Sequence, residues 1–242
     1  MKTIFYYAYI GDDSTPIEDL MWRLDYINNQ MEFISYLAKQ CNITSLFTVA
    51  TLPKQCDGMF MQIATKHNFC IYTKFTSRIN QFEYPGFAAI KDFADSAHPE
   101  HLIYYSHSKG SANRSNRSLG IFNYHQVINI NCDVIARLQQ KDIVKAGLYP
   151  SKTGFLWHNF FWVKANYLTK KIIKASLDRH YFESLIGGDG DDTSHKTMGT
   201  LYIKPPEGNF KIMEHYEAKD ILGKKELDHI YNEHISFKPY NQ

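Results

Sequence analysis

The chain reads as an α/β domain built on a mostly parallel central sheet flanked by helices, and three observations predict this. Short apolar runs rich in β-branched and aromatic residues, such as TIFYYAYI at 3–10 and LIYYS at 102–106, alternate with longer stretches of helical periodicity. Such runs lack a polar face, which suits strands covered by helices on both sides. With 242 residues and a hydrophobic fraction of 44%, the chain also has enough apolar side chain for a sizeable core.

The elements follow in order. After the first strand at 3–10, Pro16 opens a helix to about Gln40, with Leu20, Leu24, Ile27, Met31, Ile34 and Leu37 at helical spacing. Residues 43–51 form a second strand, 58–66 a short helix and 69–75 a third strand. A helix over about 86–97 ends at His98-Pro99, and 102–106 is the fourth strand. A helix is expected from Leu119 to Gln140, a strand at 143–149 and another within 154–164. Two helical segments follow, near 165–176 and 178–186. The charged stretch from about 213 to 233 reads as a solvated helix, part of a tail at 213–242 that closes the domain. No internal repeat or Pro/Gly/Ser linker divides the sequence, so one domain over 1–242 is expected.

Composition excludes several classes. A net charge of +2 is far from the strongly basic balance of a general nucleic-acid binder. Cys41, Cys56, Cys70 and Cys132 lack CxxC spacing, so scattered reduced thiols are expected rather than a zinc site. The N-terminal apolar run is too short for a signal peptide and no stretch is long enough to span a membrane, which predicts a cytoplasmic protein. Aromatic residues are abundant, with 17 Tyr and 16 Phe, enough to line a sugar- or base-binding pocket as well as a core.

Chemistry concentrates in three loops. The fourth strand runs into SHSKGSANRSNRS at 106–118, where His107, Lys109, Arg114 and Arg117 supply donors for a diphosphate and Gly110 lets the backbone approach. Composition alone fits a solvated basic turn equally well. In a parallel sheet, ligands bind at the carboxyl ends of strands, where this loop lies. The second segment, RHYFESLIGGDGDD at 179–192, carries Glu183 and a Gly-rich acidic turn in which Asp189 and Asp191 have the spacing to hold a divalent cation. An ordinary solvated turn is the other reading. The third, WHNFFWVKANYL at 157–168, embeds His158 and Asn159 between Trp157 and Trp162, aromatic residues suited either to a core or to sugar faces.

Together these segments resemble a family of bacterial proteins assigned as glycosyltransferases, found in capsule and lipopolysaccharide gene clusters, which carry "YxHTKG", "GNFWWAxxxYL" and "ExWIG" motifs in that order. The counterparts are Tyr105–Gly110, then His158–Lys164 with Tyr167-Leu168, then Glu183–Gly187. The stretch EYPGFAAIKDFA at 83–94 resembles the family's lead into the helix before the fourth strand. Ser108 stands for Thr, His158 for Gly, Phe161 for the first Trp of the pair and Leu185 for the Trp of the last motif.

The resemblance implies a Rossmann-like fold of the GT-A type and a transferase that moves a sugar from a nucleotide-diphosphate sugar to a hydroxyl of a glycan, polysaccharide or glycoconjugate. It implies the donor diphosphate on His107, Lys109 and Gly110, to which the charge of the same loop adds Arg114 beyond the matched motif, and sugar or acceptor at Trp157, His158, Asn159 and Trp162. Asp12 and Asp13, by their position after the first strand, are expected at the base or ribose. Glu183 is the expected catalytic base, with Asp189 and Asp191 in reserve. Many enzymes of that fold hold Mn or Mg through an Asp-x-Asp after the fourth strand, where this chain has Ser106-His107-Ser108-Lys109. Either His107 and Lys109 replace the metal, or Asp189 and Asp191 bind it elsewhere. The expected partners are the nucleotide sugar and a glycan acceptor, with peripheral contact to a membrane-linked acceptor and no nucleic acid. A non-catalytic nucleotide-sugar or carbohydrate-binding domain of the same fold is the alternative.

Overall fold

A computed structural model describes residues 1–76, 81–111, 116–139, 143–147, 156–176, 178–187 and 200–202. The expected C-terminal helix, Arg114, Asp189 and Asp191 lie outside the described residues. So do the side chains of Trp157, Arg117 and Glu183, whose backbones are described.

The elements are β1 (Lys2–Tyr9), α1 (Ile17–Gln40), β2 (Ser45–Thr51), α2 (Asp57–Lys66), β3 (Cys70–Phe75), α3 (Tyr84–Ser96) and β4 (Leu102–His107). They are followed by α4 (Asn116–Asn129), α5 (Cys132–Leu138), β5 (Lys145–Gly147), β6 (Phe161–Lys164), α6 (Ala165–Leu168), α7 (Arg179–Leu185) and β7 (Thr200–Tyr202). One sheet carries the strands in the order β3-β2-β1-β4-β6-β5-β7. β3, β2, β1 and β4 run parallel, β6 lies antiparallel to both β4 and β5, and β7 pairs parallel to β5. The fold is therefore Rossmann-like α/β with a mostly parallel sheet.

Strand alternation sends successive side chains to two separate cores. Ile4, Tyr6 and Ala8 of β1, Tyr104 of β4 and Trp162 of β6 face α1, α2, α4 and α5. Phe5 and Tyr7, Ile103 and Tyr105, and Phe161 and Val163 face α3, α6 and α7. The six apolar positions read as the inner stripe of α1 are all buried. Among the described residues, no helix is long and apolar enough to cross a membrane.

Two helices differ from expectation. The helix expected over 119–140 is split into α4 and α5. Asn131 turns extended at φ −130° and ψ 137° and accepts a hydrogen bond from the Asp133 amide at 2.8 Å, capping a new helix. The helix expected over 165–176 stops after one turn. There the Tyr181 hydroxyl accepts from the Lys174 amide at 3.2 Å and donates to the Ile172 carbonyl at 3.3 Å, engaging backbone groups that a helix would have used.

Gly86 sets the approach of α3 to the sheet. A Cβ there would lie 2.5 Å from the Tyr105 hydroxyl and 2.9 Å from Tyr7 Cβ. Gly86→Ala is expected to lower unfolding free energy by about 1–3 kcal/mol through overpacking, read by urea denaturation. An unchanged midpoint would show that α3 can move away freely.

Candidate functional site

The strand order reverses between β1 and β4, so the crevice at their carboxyl ends is the expected ligand position in an open α/β sheet. The 107–111 loop sits there, and the backbone and two helix side chains fix it. The Ser108 amide donates to the Tyr7 carbonyl at 2.8 Å, and Ser108 Oγ accepts from the Tyr9 amide at 2.9 Å. The Lys109 carbonyl accepts from Tyr26 Oη at 3.0 Å and from Gln30 Nε2 at 3.2 Å, so α1 braces the loop from behind. Gly110 then turns the chain at φ 85°, in the left-handed region that favours glycine.

Beside the loop lies a polar cluster centred on Glu83, immediately before α3. Asn159 Nδ2 donates to both Glu83 oxygens at 3.2 Å, and Tyr105 Oη donates to Oε2 at 3.4 Å. His107 Nδ1 lies 3.7 Å from Glu83 Oε1, while its Nε2 is 3.0 Å from the His158 carbonyl and donates to it. Three non-glycine residues at this corner have positive φ: Phe82 (50°), His158 (67°) and Asn159 (53°). Left-handed backbone at such residues is unfavourable and tends to gather where geometry serves function.

His125 of α4 closes the back of the corner. Its ring meets those of His158 at 5.2 Å and Phe160 at 5.1 Å. Burial, then the nearby charges of Lys109 and His107, push its pKa down to about 3. An unfolded histidine titrates near about 6.5. The stability gained from holding this ring neutral is therefore complete above that pH and is lost as pH falls toward the folded value. Burial lowers His67 and His101 in the same direction. Between pH 7 and 5 the His125 contribution to unfolding free energy is expected to fall by on the order of 2 kcal/mol. Urea titrations at the two pH values test this, and His125→Gln should shrink the difference.

The other expected site residues divide. Asp12 Oδ1 accepts from the Ser14 amide at 2.9 Å, Ser14 Oγ at 2.6 Å and Thr15 Oγ1 at 3.2 Å. Its carboxyl is held below the usual range, first by the Ser14 hydroxyl. Asp12 thus shapes its own turn, while exposed Asp13 lines an open depression of about 440 Å³ with Pro53, Lys54 and Gln55. Asn159 is only 1% exposed, so its amide acts through Glu83. Trp162 is a correction to the expected sugar-binding set: it is fully buried, and Nε1 donates to the Asn129 carbonyl at 2.8 Å, leaving no ring face for a sugar.

Sequence reading missed Glu83, Arg23 and two buried lysines. Glu83 lay inside the stretch resembling the helix lead, and the side chains it meets are far from it in sequence. Arg23 Nη1 donates to the Ile10 carbonyl at 3.0 Å and its guanidinium stands 5.6 Å from the Tyr9 ring centre, beside the end of β1. Lys145 donates to the Ile186 carbonyl at 2.7 Å and Lys171 to the Gly187 carbonyl at 2.9 Å, with Tyr167 Oη donating to both. These cations complement the carboxyl end of α7 and fix the residue from which the acidic segment departs.

A metal is expected from the resemblance and from the spacing of Asp189 and Asp191, which lie outside the described residues. At the end of β4 stand an imidazole donating to a carbonyl and an ammonium, a set that does not fit a divalent cation. Among the described residues, no three His, Cys, Asp or Glu side chains gather as metal ligands.

No family profile and no curated protein matches this chain. Among solved structures, it is similar to a cytidylyltransferase from Leptospira borgpetersenii serovar Hardjo-bovis strain JB197, at 13% identity and TM-score 0.47, over 85% of this chain and 76% of that one. It is also similar to 4-diphosphocytidyl-2C-methyl-D-erythritol synthase from Anaerococcus prevotii DSM 20548, at 10% identity and TM-score 0.38, over 91% and 92% of the two chains. A third, from Bacillus anthracis, is assigned as a glucose-1-phosphate thymidylyltransferase and was crystallised with sucrose. It is 10% identical with TM-score 0.44, over 98% and 97%.

Proposed function

We propose that this chain is a glycosyltransferase that moves a sugar from a nucleotide-diphosphate sugar to a hydroxyl of a glycan, polysaccharide or glycoconjugate. The observation that carries the reading is the braced 107–111 loop at the β1/β4 reversal, which presents Lys109 and the left-handed Gly110 turn where a ligand binds in such sheets. In this reading Lys109 neutralises charge developing on the departing diphosphate as its bond to the anomeric carbon breaks. Arg114 adds a second cation. Glu183 takes the proton from the acceptor hydroxyl as that oxygen attacks the anomeric carbon. Glu83 holds His107 at the edge of the same corner. Asp13 and Arg23 flank the nucleoside end. If Asp189 and Asp191 hold a divalent ion, it would add positive charge at the diphosphate; no step here depends on it.

One observation favours a second reading, a non-catalytic nucleotide-sugar-binding domain: the end of β4 has Ser106-His107-Ser108-Lys109 in place of paired carboxylates. Calorimetry with UDP-, GDP- and dTDP-sugars, with and without manganese, tests both. One donor is expected to bind, and Lys109→Ala is expected to weaken it about ten- to hundredfold, the effect of one charge-assisted bond. Binding without transfer or hydrolysis selects the second reading. No binding by any donor overturns both.

A further inference from the structure

Cys41 and Cys132 are 91 positions apart in sequence, yet the fold sets their sulfurs 3.0 Å apart. Sequence spacing suggested scattered thiols, and this pair is not scattered. Cys41 caps the carboxyl end of α1 and is buried; Cys132 opens α5 and is exposed. Each thiol faces a backbone carbonyl of the other's neighbourhood: Cys41 Sγ is 3.7 Å from the Ile130 oxygen and Cys132 Sγ is 3.6 Å from the Gln40 oxygen. Lys2, at the start of β1, donates to the Cys41 carbonyl at 3.1 Å. The pair therefore lies by the amino-terminal end of β1, away from the loop at the carboxyl ends of β1 and β4.

We propose that Cys41 and Cys132 form an oxidisable dithiol, a modification site at which hydrogen peroxide closes a disulfide between α1 and α5. A disulfide places its sulfurs about 2.05 Å apart, so closure needs a movement of only about 1 Å. The two thiols have different roles. Burial, then the Cys132 thiol beside it, pushes Cys41 up to about 12, while Lys2 pulls the other way. A buried, protonated thiol is a poor first nucleophile, and the exposed Cys132 meets the oxidant first. Its sulfur attacks one peroxide oxygen, the O–O bond breaks, one water leaves and a sulfenic acid remains. The Cys41 sulfur then attacks the sulfenic sulfur and expels the hydroxyl, which takes the Cys41 proton and leaves as a second water. In all, two thiols lose two hydrogens and one peroxide becomes two waters. Cys56 is buried and Cys70 is exposed, and neither has a sulfur partner among the described residues.

The test uses the full chain treated with hydrogen peroxide, alkylated under denaturing conditions and mapped by non-reducing peptide mass spectrometry. The expected result is a cross-linked Cys41–Cys132 peptide and a fall from four titratable thiols to two in the monomer. Cys70→Ser should leave that cross-link unchanged. Cys132→Ser, at an exposed position, should abolish it without disturbing the core. Retention of four thiols overturns the proposal. So does a link through Cys56 or Cys70, or a Cys132 that proceeds to sulfinic acid with Cys41 still free.

Discussion

Trp162→Ala is expected to lower the free energy of unfolding by about 3–5 kcal/mol, the range for deleting a large buried aromatic side chain. Trp162 lies on β6, opposite Tyr104 of β4 and Ala146 of β5, at the join between the parallel half of the sheet and its reversed half. Its ring packs 5.1 Å from that of Tyr104. Removing it opens a cavity between the sheet and α4 and withdraws the donor from the Asn129 carbonyl. That carbonyl belongs to a residue already buried, whose Nδ2 donates to the Phe160 carbonyl at 3.2 Å. Trp162→Phe keeps most of the ring but loses the N–H, and is expected to be destabilised by about 1–3 kcal/mol. Urea unfolding followed by circular dichroism distinguishes the two. A loss under about 1 kcal/mol for the alanine variant would show that β6 does not need this side chain to hold the sheet together.

The same tryptophan shows where the sequence was ambiguous. The run FFWVK has both faces apolar, which identifies a buried strand but does not say which ring reaches solvent. Only the pairing of β6 between β4 and β5 commits Trp162 to the α1/α4 side. The first half of the fold was easier to read, because β1, β2, β3 and β4 alternate with helices whose apolar stripes are unbroken, as in α1. The second half was harder. Asn131 could have been read as a helix cap from its position two residues before Asp133, but the apolar periodicity of 119–140 continues across it. β7 has only three residues and no pattern of its own. At the site, the loop after β4 was legible because charge and hydroxyls follow an apolar strand. Glu83 was not, since its partners Tyr105, His107 and Asn159 are 22, 24 and 76 residues away in sequence. Such a cluster exists only once the sheet has assembled.

Two glutamates bear on the proposed reaction, and different work is proposed for each. The Glu83 carboxylate accepts from Asn159 and Tyr105 and faces His107, so both of its oxygens are already engaged by neighbouring side chains. It is better suited to positioning His107. Glu183 lies on α7, whose carboxyl end is anchored by Lys145, Lys171 and Tyr167, and in the proposed reaction it is the base. Glu183→Gln removes the proton acceptor at nearly constant volume, so transfer at saturating donor is expected to fall by about 10²–10⁴-fold. Donor affinity should stay within about twofold, because the base acts on the acceptor hydroxyl. Glu83→Gln keeps acceptor capacity toward Asn159 and Tyr105 and loses one charge beside His107, so turnover is expected to fall by only about tenfold. Turnover and donor calorimetry on both variants separate the roles. If Glu83→Gln abolishes transfer while Glu183→Gln spares it, the base is Glu83, and the reaction centre moves from α7 to the strained corner at Phe82, His158 and Asn159.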